Sequence, residues 1–117
     1  MNFQNETLPE GARKIGSTPT MTEDTVVPGI LKKHLAPRGR FGYLVVEDGS
    51  LQFIWEDDAA NPLDADSGHP IVIFPERFHR VKINGRVRFR VEFYEVDGRE
   101  IEAGMKPRGE RPGEDFL

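Results

Sequence analysis

Three histidines, two glutamates near the end of an alternating apolar run, and a scatter of arginines are the residues of this chain with chemistry to offer. The histidines are His34, His69 and His79, and there is no cysteine. Imidazole nitrogens with a carboxylate oxygen suit zinc, nickel, manganese or iron, and an open position on such a metal permits catalysis. The lack of cysteine removes thiolate nucleophiles, disulfides, iron–sulfur ligation and Cys-type zinc sites. His79 is in phase with Val81 and Ile83, so the alternation that buries those side chains turns the imidazole inward as well. Two histidines need a third donor, for which Glu92 and Glu95 are the candidates. Parity favours Glu95, which shares the face of Val91 and Phe93 if the strand continues that far. The competing reading makes His34 and His79 a hydrogen-bonded pair, or two separate core residues, with a structural role only.

The remaining polar residues carry weaker signals. His69 lies between turn formers in Ser67-Gly68-His69-Pro70 and reads either as a gate or accessory ligand or as a loop histidine. Arg38, Arg40, Arg77 and Arg80 flank the histidine segments, while Arg88 and Arg90 share one strand face. Clustered, they would bind an oxyanion or carboxylate; otherwise they are strand residues balanced by Glu47, Asp48 and Glu92. Trp55 and Phe53 read as lining for a barrel mouth or as core and interface packing. No Ser-His-Asp order, phosphate-binding glycine loop or paired-carboxylate motif stands out.

Strands must position these residues. Nine prolines and twelve glycines in 117 residues leave long helices few places to sit. Residues 41–46 read as a strand, Glu47-Asp48-Gly49-Ser50 as a turn, and residues 51–56 as its return, the Asp-Gly pair being a hairpin signal. Residues 57–67 read as an acidic loop, and residues 71–74 as a short buried strand that Pro75 ends. Residues 80–83 lead to an Asn84-Gly85 turn, and residues 87–94 return with Val87, Phe89, Val91 and Phe93 on one face. Many short strands and glycine- or proline-rich turns predict an all-β sandwich or small barrel, and seven or eight strands in so short a chain suit a jelly roll. The length suits a single domain that buries about two thirds of its surface without disulfides. Composition divides it into an N-terminal arm (1–25) with room for one edge strand, a β-barrel (26–96), and a charged Gly/Pro-rich tail (97–117) that is mobile or docks on a partner subunit.

The segment Pro28-Gly29-Ile30-Leu31-Lys32-Lys33-His34-Leu35, followed by Gly42-Tyr43-Leu44-Val45-Val46-Glu47-Asp48-Gly49-Ser50-Leu51, resembles the first half of a cupin. Phe74-Pro75-Glu76-Arg77-Phe78-His79-Arg80-Val81 resembles the Pro-x-x-x-His segment of the second half. With Ser17-Thr18-Pro19 upstream and Val91-Glu92-Phe93-Tyr94 downstream, the chain resembles the TehB/YeaR-like cupin family over roughly residues 17–96. The resemblance implies a cupin-type double-stranded β-helix able to hold a divalent metal, in a setting of tellurite resistance and nitrosative stress. In that pattern His34 matches the first-motif histidine and His79 the second-motif one, but Ala36 and Arg40 stand where a histidine and a glutamate are usual. The resemblance points to Glu92 as the third ligand, with Glu95 the alternative; some relatives carry cysteine where this chain has Glu95. Methyl transfer, known in longer relatives, is not implied, since no S-adenosylmethionine-type glycine loop is present.

Charge and hydropathy bound the partners. Sixteen Lys and Arg against twenty Asp and Glu give a net charge of −4, which opposes nucleic acid as the main partner. No apolar run approaches the ~18 residues that span a bilayer, and the first residues lack a secretory signal's basic and apolar regions. The expectation is therefore a cytoplasmic protein, free of membrane and nucleic acid, with a small-molecule ligand. Three functions remain open: a stress-response cupin binding a divalent metal and a small anionic or oxidised molecule; a metal-dependent oxygenase, isomerase or hydrolase; and a non-catalytic interaction module with structural histidines. Exposed barrel edges predict a homodimer, with residues 15–30 and the apolar surface of Phe53 and Trp55 at its interface.

Overall fold

The sheet is built on β7 (Val87–Glu95), the cleanest alternating run of the sequence. Val87, Phe89 and Val91 are fully buried, while Arg88 and Arg90 stand on the other face. In the computed structural model, which describes residues 2–31 and 35–96, six further strands join it. They are β1 (Arg13–Ser17), β2 (Met21–Thr22), β3 (Arg40–Trp55), β4 (Leu63–Asp66), β5 (Ile71–Ile73) and β6 (His79–Lys82). Among the described residues there are two short 3-10 turns, Pro28–Leu31 and Glu56–Asp58, and no α-helix. No helix among them is long and apolar enough to cross a membrane. The fold is all-β, one antiparallel sheet of seven strands.

Its spine is β3, and here the structure corrects the expected hairpin at Asp48-Gly49. The chain does not reverse: it continues as one strand of 16 residues. Its first half pairs with β7 and β5, its second half with β4 and β6. A bulge between Val46 and Asp48 shifts the register, so the buried positions change from Gly42, Leu44 and Val46 to Leu51, Phe53 and Trp55. One extra residue exchanges the two faces of a strand, and this exchange broke the alternation that had read as a turn. Gly49 has φ +78°, and a Cβ there would lie 2.2 Å from the Arg86 carbonyl oxygen. Glycine is required by close approach of β7's leading end, not by a reversal.

Two further expectations change. The acidic loop contains β4, in which Leu63 and Ala65 turn toward the core while Asp64 and Asp66 take the other side. Asn84-Gly85 does not close a hairpin, because β6 pairs with β3 and not with β7; Gly85 has no positive φ. The arm does supply an edge strand, β1, to its own sheet. Its first residues form a strap between β4 and β5: Asn2 exchanges hydrogen bonds with Asp64 and reaches the Pro62 carbonyl. The Gln4 side-chain amide accepts from the Val72 N–H at 2.6 Å and donates to the Val72 carbonyl at 3.0 Å. A glutamine side chain thus imitates a neighbouring strand and satisfies an edge. The core gathers Leu44, Val46, Phe53, Ile71, Val81 and Phe89 with Met21 and Ile30 from the approach to β3. The tail expectation falls on residues 97–117, outside the described residues.

Candidate functional site

His79 opens β6 directly across from Trp55, the last residue of β3. Its neighbour in phase, Val81, is a core residue, and His79 itself is 0% exposed. Its ring stacks on Phe53 (centroids 5.2 Å, 20°) and meets Trp55 edge-on at 5.8 Å. Nδ1 lies 3.3 Å from the Arg77 carbonyl oxygen. With Nδ1–H donating there, Nε2 is the basic nitrogen, the form that ligates a metal or takes up a proton.

The turn before β6 sets this geometry. Glu76 follows Pro75 with φ 59°, left-handed backbone that a side chain seldom adopts. Its N–H donates to the Ala36 carbonyl at 2.8 Å, and its carboxylate pairs with Arg38 at 3.2 Å. Strained backbone of this kind persists only where its surroundings hold it, and it is commonest near functional sites. Beyond the turn, Arg77 lays its guanidinium 4.2 Å above the Trp55 ring and binds Asp57 in a fork at 2.8–3.1 Å. That fork holds the Asp57 carboxyl below the usual carboxylate range. Two open clefts flank Arg77. One, of about 370 Å³, lies between the strap and Trp55, Leu63 and Phe74; the other, of about 330 Å³, is bordered by Glu56, Asp57, Glu76 and Phe78.

The two candidate carboxylates already have partners. Glu92 lies on the face of β7 away from the core: its carboxylate takes Arg90 at 2.8 and 2.9 Å, the Tyr94 hydroxyl at 2.9 Å, and Lys14 at 3.6 Å. Burial pushes that carboxyl up, but the hydrogen bonds from Arg90 and Tyr94 outweigh it and leave it below its ordinary value. Glu95 is held between Arg13 and Arg40, its cross-strand neighbours. Both carboxylates are paired with cations. Among the described residues no three His, Asp or Glu side chains converge to hold a metal, and His34 lies outside the described residues.

The other candidates resolve into structural pairs. Arg80 binds Glu56 at 2.6 Å, Arg88 lies 3.8 Å from Glu47, and Arg90 bridges Glu47 and Glu92. Every arginine named from the sequence therefore has a carboxylate partner, and no cluster of open guanidinium groups forms among them. His69 donates its Nδ1–H to the Asp66 carboxylate (2.7 Å) and lies flat on Phe3, centroids 3.5 Å apart. The strap claims it. Phe53 and Trp55 are 0% and 6% exposed, so they offer no apolar surface to a partner; the bulge in β3 turned them inward. The residues that sequence reasoning missed are the strap residues Asn2, Phe3 and Gln4, whose only signal was a polar run without periodicity.

The family comparison matches residues 16–91 to the TehB-like domain. A crystal structure of a protein from E. coli K12 superposes with a TM-score of 0.72 at 20% identity, over 80% of this chain and 99% of that one. The crystal structure of TehB from Haemophilus influenzae superposes with a TM-score of 0.67 at 22% identity, over 74% of this chain and 32% of TehB. This chain thus spans about a third of TehB's length, and the likeness establishes a shared fold. No curated protein matches the chain. The family match covers well over half of the residues: the chain belongs to the TehB-like domain family.

Proposed function

We propose that this TehB-like domain is a small-molecule-binding protein with a cupin-type barrel, and that the imidazole of His79 is its chemical centre. The observation that carries the reading is the burial of His79 among Phe53 and Trp55, with one ring nitrogen oriented by a backbone carbonyl. A polar ring kept in an aromatic pocket that an aliphatic side chain of similar size would also fill suits a group kept for binding. A divalent metal held through His79, with His34 as companion, is part of the proposal; Glu92 is not, since Arg90, Tyr94 and Lys14 already satisfy it. The setting proposed is cytoplasmic, in tellurite-type stress, as the family suggests.

Elemental analysis of the purified chain, with thermal melts in Zn²⁺, Ni²⁺, Mn²⁺ and Fe²⁺, tests the proposal. The expected result is metal-dependent stabilisation of several degrees in the wild type, lost in His79→Leu and in His34→Ala. Absence of stabilisation, or stabilisation unchanged in His79→Leu, removes the metal from the reading.

We also propose a homodimer formed along β1. Among the described residues β1 pairs only with β7, leaving its outer edge open, and the bulged Ile15 is 45% exposed. Two copies paired antiparallel about Ile15 place Arg13 of each chain opposite Ser17 of the other and Lys14 opposite Gly16, so no like charges meet.

A further inference from the structure

The turn before β6 does more than orient a ring. Glu76 stands at φ 59°, strained backbone that the Ala36 carbonyl and the Arg38 guanidinium hold in place. The next residue, Arg77, covers the Trp55 ring at 4.2 Å, and its carbonyl oxygen lies 3.3 Å from Nδ1 of His79. Trp55 in turn meets the His79 ring edge-on at 5.8 Å. Arg77 borders both open clefts, of about 370 and 330 Å³, whereas His79 borders neither. From the clefts inward, the layers are guanidinium, indole and imidazole.

A post on the neighbouring segment holds the guanidinium. Asp57 takes it through three hydrogen bonds of 2.8–3.1 Å. That carboxylate belongs to the 3-10 turn Glu56–Asp58, which is itself fixed. The Glu56 N–H donates to the Phe78 carbonyl at 2.9 Å, the Glu56 carboxylate takes Arg80 at 2.6 Å, and the Asn61 amide reaches Asp58 at 2.8 Å. The post is anchored three ways without Arg77, so the arginine is the movable part. Its fork with Asp57 lies at the surface, where an ion pair is weak enough to open thermally.

We propose that Arg77 is the gate of the His79 site. Closed, its side chain seals Trp55 over the imidazole and its carbonyl sets the Nδ1–H form; open, it uncovers the indole and joins the two clefts in front of it. The proposal rests on His79 being the centre of the site and adds how that centre is reached. One residue governs access through its side chain and the basic nitrogen through its carbonyl, so opening and loss of the Nδ1–H tautomer go together.

Diethyl pyrocarbonate, which carbethoxylates an accessible neutral imidazole, tests the gate on the metal-free full-length chain, each histidine being followed by peptide mass spectrometry. His69, whose imidazole is exposed, is the internal reference. In the wild type His79 should react far more slowly than His69. Asp57→Asn keeps the shape of the post without its charge and should speed His79 roughly two- to five-fold. Arg77→Ala also removes the cation from the ring and should speed it roughly ten-fold, while Arg77→Lys should restore most of the protection. His69 should keep its rate throughout, since a variant that merely unfolds exposes both. Trp55, the only tryptophan of the chain, should become more open to acrylamide quenching in the same order. Imidazole ¹⁵N shifts should show His79 as the Nδ1–H form in the wild type and as a mixture of tautomers in Arg77→Ala. Equal rates for His79 and His69 in the wild type, or an unchanged His79 rate and Trp55 quenching in Asp57→Asn and Arg77→Ala, would overturn the gate. No metal enters the measurement, so these rates and the metal-dependent melts fail independently.

Discussion

Glu92 carries the clearest electrostatic signature of any single residue. It is 7% exposed and is held by Arg90, Tyr94 and Lys14. Because its folded carboxyl lies below the ordinary value, the unfolded chain binds the proton more readily, and stability falls as acid is added. The contribution is complete above the unfolded carboxylate value of roughly 4.5 and is lost as pH drops through the lower folded value. Glu92→Gln should therefore cost about 1–3 kcal/mol at neutral pH and flatten the acid limb of a stability–pH curve measured by urea denaturation. A variant with the wild-type acid limb would show that the pair contributes nothing. His79 differs, since its burial serves packing whether or not it binds. His79→Ala should lose about 2–4 kcal/mol through the cavity between Phe53 and Trp55, whereas His79→Leu should stay near wild-type stability in the same denaturation assay.

At the scale of elements, two Gly-containing pairs that read alike in sequence do different work. Asp48-Gly49 directly follows the bulge of β3, where a Cβ on Gly49 would strike the Arg86 carbonyl oxygen; Asn84-Gly85 joins β6 to β7 in open space. Gly49→Ala should cost about 2–3 kcal/mol or more, from the positive φ and the clash together. Gly85→Ala should be neutral or add about 0.4–1 kcal/mol by restricting the unfolded chain. Paired thermal melts check both, and similar costs at the two sites would contradict the assignment of bulge and linker. The bulge also decides the site, because its change of parity brings Phe53 and Trp55 onto the core face beside His79.

For the whole molecule, the open edge of β1 is the feature that calls for a partner. Light scattering at micromolar concentration should give about twice the chain mass, and Ile15→Arg, which sets two cations together at the two-fold axis, should return it to one. A wild-type mass of one chain would reject the dimer. Among the described residues the exposed large apolar side chains are Ile15, Val27 and Leu31, in or next to residues 15–30, and Phe78 before β6.

Sequence alone determined the class of fold and the direction of His79, because both rest on local alternation. Val87, Phe89 and Val91 can share a buried face only in a strand, and a histidine in phase with Val81 must follow it inward. The family was legible too, in the motif around Pro75 and His79 and in the run from Gly42 to Leu51. Only the tertiary structure decided which strands meet. Local pattern cannot distinguish a bulge from a turn, so the continuous β3 read as a hairpin, and the acidic run of residues 57–67 hid a strand whose inward residues are only Leu63 and Ala65. The partners of Glu92 and of the arginines were equally out of reach, since they depend on pairing between residues up to 82 positions apart, as in Arg13 with Glu95. Charge pairing is set by register across the sheet, and register is a property of the assembled strands.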